Sequence, residues 1–261
     1  MSGRHVALVA LALFPLAALL APVAGDPNAV DLTLRLLPPS PSHWLGSDEL
    51  GRDVLTRLVH GTRVSTGAGF LAAGLSLAIG AFLGALAGSV PERVDRLIVY
   101  AVDVVQSVPP LILIVAGAAF FRPSFWTAAL LIGLTGWPET ARLVRAEARR
   151  VFTAPFVEAA RAAGASRLRL LVRHVLPHAL PPALATAPYA LGAAVLAEAS
   201  LSFLGLGTPP PTPSWGRALA DARGTLDAWW LVVPPAAALF LFILSARLAG
   251  DALGQGKDRL S

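Results

Sequence analysis

The chain has no cysteine, so neither a disulfide framework nor a thiolate metal site is open to it. It has one lysine, Lys257, and the rest of its positive charge is arginine and histidine. Charge itself is scarce. Only 14% of its 261 residues are Asp, Glu, Lys or Arg, where a soluble domain would carry about a quarter. Hydrophobic residues make up 55% of the chain, and the mean hydropathy is +0.65. The deficit points to lipid as the solvent. A calculated pI near 10.9 would suit nucleic acid, but cytoplasmic arginines give a membrane protein the same value, and the apolar runs decide for the membrane.

A membrane helix needs about 20 apolar residues, and six stretches approach or reach that length: residues 6–24, 64–90, 97–121, 125–144, 183–206 and 229–248. The first is short and ends in small residues, which also fits a secretory signal peptide; five further apolar runs favour a span. Gly67, Gly74, Gly80, Gly84 and Gly88 in the second run include small-xxx-small spacings that let helices approach closely. The expected fold is an all-α, six-span, polytopic single domain. It divides into a first span (6–24), an external loop with an amphipathic helix (25–63), a five-helix core (64–250) and a tail (251–261). With the N-terminus inside, fourteen of the Lys and Arg residues face the cytoplasm and seven face out. That asymmetry predicts both termini in the cytoplasm.

One cytoplasmic stretch, residues 153–180, is too polar to cross and too patterned to be idle. Glu158 to Ala163 is Ala-rich and a good helix former. Gly164 is free to take positive φ and turn the chain. Leu168, Leu171, Val172 and Val175 then recur at helical spacing on one face, with Leu170 an apolar intruder among the arginines opposite. Pro177, Pro181 and Pro182 are expected to stop that helix. On pattern alone, an interfacial helix that anchors a loop fits as well as a functional element.

Glu158-Ala159-Ala160, three residues, Gly164, and then Leu176-Pro177 resemble the EAA loop of ABC-type importer permeases. Residues 43–65 and 198–223, with 21–40, resemble the corresponding segments of the dipeptide/oligopeptide/nickel branch, in its second, C-type permease. The resemblance implies a type I importer permease fold. It also implies a homologous second permease, two cytoplasmic ATPase subunits that bind ATP and Mg²⁺, and an extracytoplasmic binding protein. The EAA loop would rest in a groove of the ATPase, with Glu158 capping or salt-bridging inside the loop or meeting the ATPase directly. The solute would be a di- or oligopeptide, nickel or another small solute.

Other residues attract attention on their own. Asp103, Gln106 and Ser107 share a face just before Pro109-Pro110, a pair expected to break or kink the third span. Intramembrane charges usually face a bundle interior or water, so Asp103 and Gln106 are pathway candidates, with pairing of Asp103 to an arginine the other reading. Glu198, near the outer end of the fifth span, is a gate candidate or a structural hydrogen-bond partner of the adjoining loop. Glu139 and Arg142 have i, i+3 ion-pair spacing. Ser47 before Asp48 and Glu49 reads as a capped helix start. His174 and His178 stand four apart, but Pro177 between them argues against a metal site. The run from Gly254 to Asp258 lacks the Ser or Thr that follows the lysine in a phosphate loop, so no nucleotide is expected on this chain. No nucleophile-base arrangement appears, and no enzymatic activity is expected. A lone secondary transporter is the rival class; it tends to carry matched internal halves, and none is evident.

Overall fold

The computed structural model describes residues 3–254 apart from 20 and 226. Helix α1 spans Gly3–Leu19, α2 Val54–Ser89, α3 Glu92–Gln106, α4 Pro110–Ala118 and α5 Phe125–Phe152. Then follow α6 Pro155–Ala162, α7 Arg167–Leu170, a π turn Leu171–Val175, α8 Leu176–Phe203, α9 Trp215–Asp221 and α10 Trp229–Gly254. Among the described residues three helices are long and apolar enough to cross a bilayer: α2, the continuous rod from α7 through α8, and α10. The pair α3–α4 makes a fourth if its two arms count as one broken span, bent by 81°. The second half of α5 is charged, and the apolar part of α1 is short, so neither meets that measure. The tail beyond Gly254 lies outside the described residues.

The break between α3 and α4 has the expected cause. Pro109 and Pro110 lack the amide hydrogens that would continue the helix, and Pro109 becomes the N-cap of α4. At the centre of the bundle, α2 lies against α5. A Cβ added at Gly80 would come within 2.6 Å of the Trp137 carbonyl, at Gly84 within 2.5 Å of the Ala141 carbonyl, and at Gly88 within 2.6 Å of Ala148. Three glycines one turn apart thus set a backbone-to-backbone seam. Gly74 has open space instead.

Four expectations are corrected. Ser47 does not start a helix: it is buried, its hydroxyl accepts from Leu37 N–H at 2.9 Å, and it bridges to Asp53 as a short antiparallel contact. The cap is Asp53, which accepts from Thr56 N–H at 2.8 Å. Among the described residues no separate amphipathic helix stands between α1 and α2, because Val54 and Leu58 belong to the first turns of α2 itself.

Pro177, Pro181 and Pro182 do not stop the helix that precedes them. The turn before Pro177 widens, and Leu176 N–H reaches back five residues to the Leu171 carbonyl. A wider turn gives the Pro177 ring room where an α-turn would set it against the Arg173 carbonyl.

The same turn shifts the buried face. Leu170, Leu171, Val175, Ala179 and Ala183 point into the core, while Leu168 and Val172 are 70% and 54% exposed. The fifth residue in a π turn moves the register of everything before it, so Leu170 turns inward.

Candidate functional site

The loop at one end of the bundle is built from α6, a turn and α7. Pro155 opens α6 at its first position, where a missing amide costs nothing. The helix closes on a reciprocal pair of hydrogen bonds: Gly164 N–H donates to the Arg161 carbonyl at 3.0 Å and Ala165 N–H to the Ala160 carbonyl at 3.1 Å. This closure requires a left-handed residue between them, and Gly164 has φ +83° with nothing within 4 Å of an added Cβ. Glycine is there for its backbone alone. Ser166 then caps α7 by accepting from Arg169 N–H.

Val157, Leu170, Leu171 and Val175 fix the loop to α2 and α5, packing with Ala81, Ala85, Val144 and Ala148. Each fully buried aliphatic side chain contributes roughly 1.5–3 kcal/mol, so the loop is seated firmly. Phe156 holds the outside of the turn, its ring 5.1 Å from that of His178 and 6.4 Å from that of His174. Arg161 lies over the Phe152 ring at 4.7 Å. The two histidines therefore serve an aromatic contact, and among the described residues no group of three or more metal-ligating side chains occurs.

Glu158, Ala159 and Gly164 are exposed and Ala160 is half-buried. Among the described residues Glu158 has no side-chain hydrogen bond or ion pair, so it neither caps nor salt-bridges within the loop. Leu168, Val172 and the arginines Arg167, Arg169 and Arg173 of the following segment are exposed as well. Leu176 is half-buried and Pro177 exposed at the head of α8.

Between α3 and α5 stand two ion-pair clusters. Asp103 meets Arg142 at 2.6 Å, both side chains 57% exposed. One helical stretch away, Asp95 is 4% exposed and is held by Arg145 and Arg149 together. Arg142 is thus engaged by Asp103 and not by Glu139, because α3 crosses α5 on the side that Arg142 faces. The spacing rule overlooked this tertiary competitor, and Asp95 was missed for the same reason.

Glu198 is fully buried. Its Oε1 accepts from the Ser202 hydroxyl at 2.7 Å, and the hydroxyls of Ser65 and Ser214 stand beside the same carboxyl. Ser65 accepts from Trp215 N–H at 3.1 Å, and Ser202 accepts from Thr208 N–H at 3.2 Å. The knot ties α2, α8 and α9 together. Glu198 lines none of the described cavities.

A cavity of about 520 Å³ opens in the middle of the bundle. Its walls come from α2, the α3–α4 break, α5 and α8, and Gln106 lines it while Asp103 does not. Asp103 instead lines a smaller recess with Arg142 and Arg145.

The pattern of the binding-protein-dependent transport system inner membrane component matches residues 80–259. The probable D,D-dipeptide transport system permease protein DdpC of Escherichia coli (strain K12) is 41% identical over 229 residues, covering 87% of this chain and 77% of that one. The di/tripeptide transport system permease protein DppC of Pseudomonas aeruginosa (strain UCBPP-PA14) is 38% identical over 268 residues, covering 98% and 88%. Among solved structures, the inward-facing MetNI methionine ABC transporter superimposes with a TM-score of 0.63 at 20% identity, over 77% of this chain and 95% of that one. A family match across most of the chain, backed by relatives of this identity, leaves one conclusion: the protein belongs to the family of binding-protein-dependent transport system inner membrane components.

Proposed function

We propose that the chain is one membrane-spanning half of an ATP-driven importer of di- or oligopeptides. It pairs with a homologous permease, two cytoplasmic ATPase subunits that carry ATP and Mg²⁺, and an extracytoplasmic binding protein, and it catalyses no reaction itself. In this reading α1, α2, α3–α4, α5, α8 and α10 are the six spans, both termini lie in the cytoplasm, and α6 with α7 is the EAA coupling loop. Asp103, Gln106 and Glu198 remain pathway or gate candidates, of which Gln106 has the cavity position to support it.

The observation that carries the reading is mechanical. The loop closes on Gly164 with a fixed geometry, is seated by buried Val157 and Leu170, and runs without interruption from Arg167 to Phe203. A push on Glu158–Ala160 has no slack segment in which to dissipate. With no native cysteine, Ala160→Cys gives one thiol for crosslinking to the ATPase surface. A crosslink whose yield changes with ATP supports the coupling role. Absence of any crosslink along 158–174 leaves an interfacial anchor and overturns it.

A further inference from the structure

We infer that the mid-bundle cavity holds the primary ammonium group of the passing solute, with Glu139 as its counter-charge. The inference rests on the importer reading above and adds the chemistry that the pathway recognises.

Glu139 lies fourteen residues into α5, roughly 21 Å along the axis. The cavity it lines is flanked by Ala72 and Ser76 of α2 and by Ala190 and Ala194 of α8, all near the middle of their helices. A carboxylate at such depth faces a polar cavity or a partner. The partner that its own helix offers, Arg142, is taken by Asp103. Among the described residues Glu139 has no side-chain hydrogen bond or ion pair, and no Arg, Lys or His lines the cavity.

The helix break supplies the rest. In an unbroken helix the Val105 carbonyl would accept from residue 109 and the Gln106 carbonyl from residue 110. Both positions are proline and have no amide hydrogen. Val105 and Gln106 both line the cavity, and they end α3, where the helix dipole is negative. The lining residues thus offer two main-chain carbonyls released by prolines, one side-chain amide and one carboxylate as acceptors. A primary ammonium brings three donors and a positive charge. Most other wall positions are alanine or aliphatic, leaving room for a variable side chain without selecting it.

The ammonium has two possible sources, a peptide N-terminus or a lysine side chain. The test uses the assembled complex carrying Ala193→Cys, since Ala193 is exposed in the same cavity and this chain has no other thiol. Labelling of this chain by a cationic and by an anionic methanethiosulfonate is compared, each corrected for its rate with a free thiol. The cationic reagent is expected to react at least ten times faster, and adding Glu139→Gln should bring the ratio near one, while Glu139→Asp preserves most of it. A ratio near one with Glu139 intact, or one unmoved by Glu139→Gln, overturns the inference.

Protection of the thiol by alanyl-alanine, N-acetyl-alanyl-lysine and N-acetyl-alanyl-alanine separates the sources. Protection by the first alone assigns the α-ammonium, and protection by the first two assigns any primary ammonium. Equal protection by all three, or by none, overturns the site. A wild-type complex that imports no peptide would refute the importer reading while leaving the labelling ratio intact, so the two failures are distinguishable.

Discussion

Asp103 and Arg142 meet at 2.6 Å across two helices, thirty-nine residues apart in sequence. Arg142 thereby ignores the carboxylate three residues before it on its own helix. The pair joins α3 to α5 beside the break, and it leaves Glu139 without its helical neighbour, facing the cavity.

The two acidic residues of α3 should differ sharply on neutralisation. Asp103→Asn removes a half-exposed pair, for which about 0–1 kcal/mol is usual. Asp95→Asn takes from Arg145 and Arg149 their shared, nearly buried carboxylate while both arginines keep access to solvent, a loss of roughly 1.5–3 kcal/mol, the range for hydrogen bonds to charged groups. Thermal unfolding of the purified complex should place Asp95→Asn well below Asp103→Asn. Equal midpoints would remove Asp95 as the clasp.

At Gly164 the requirement is a backbone conformation, not space. Gly164→Ala should cost about 1–2 kcal/mol locally, and Gly164→Asn less, because Asn tolerates the left-handed region. Gly164→Pro cannot take φ +83° and also deletes the hydrogen bond to Arg161. It should abolish peptide uptake while the protein still inserts, as checked by membrane fractionation and transport in the same cells. Normal uptake in that variant removes the coupling role.

The α2–α5 seam makes a paired prediction on a single helix. Gly84→Leu sets a side chain against the Ala141 carbonyl and should sharply lower the yield of folded protein. Gly74→Leu, with nothing within 4 Å, should be tolerated. Detergent-stable expression of a fluorescent fusion reads both, and equal yields would contradict the seam.

Glu198→Ala removes the carboxyl that accepts from Ser202 and that Ser65 and Ser214 stand beside, and should destabilise the bundle by about 1–3 kcal/mol. Glu198→Gln keeps an acceptor oxygen and should fall between that and the wild type. If both variants melt as wild type yet transport fails, Glu198 acts as a gate and not as a tie.

Much of this was legible in the chain. The Gly80/Gly84/Gly88 spacing, the Pro109-Pro110 break and the turn at Gly164 all follow from local rules, because each depends on backbone chemistry that neighbours cannot alter. What could not be read was competition. Arg142 had a good local partner and a better distant one. Ser47 had the composition of a cap, but its hydroxyl is claimed by Leu37 and Asp53 stands nearer the helix. The π turn escaped detection because periodicity assumes a constant number of residues per turn. A single widened turn reassigns Leu168, Leu170 and Val172 between core and surface. The cavity carbonyls could have been found by counting four residues back from each proline.

The thirty-seven residues from Arg167 to Phe203 run as one continuous helix, about 55 Å long. That length carries three stations on one shaft: the π turn at Leu171–Val175, the cavity wall at Ala190 and Ala194, and the buried Glu198 near the far end. A tilt of about 5° at one end displaces the other by about 5 Å over such a length. Under the proposed coupling role, motion at the loop end reaches the other end without a relay of signals through successive contacts. Both ends move because they are the same piece of matter, and the phase relation between them is set by where along the shaft each station is mounted.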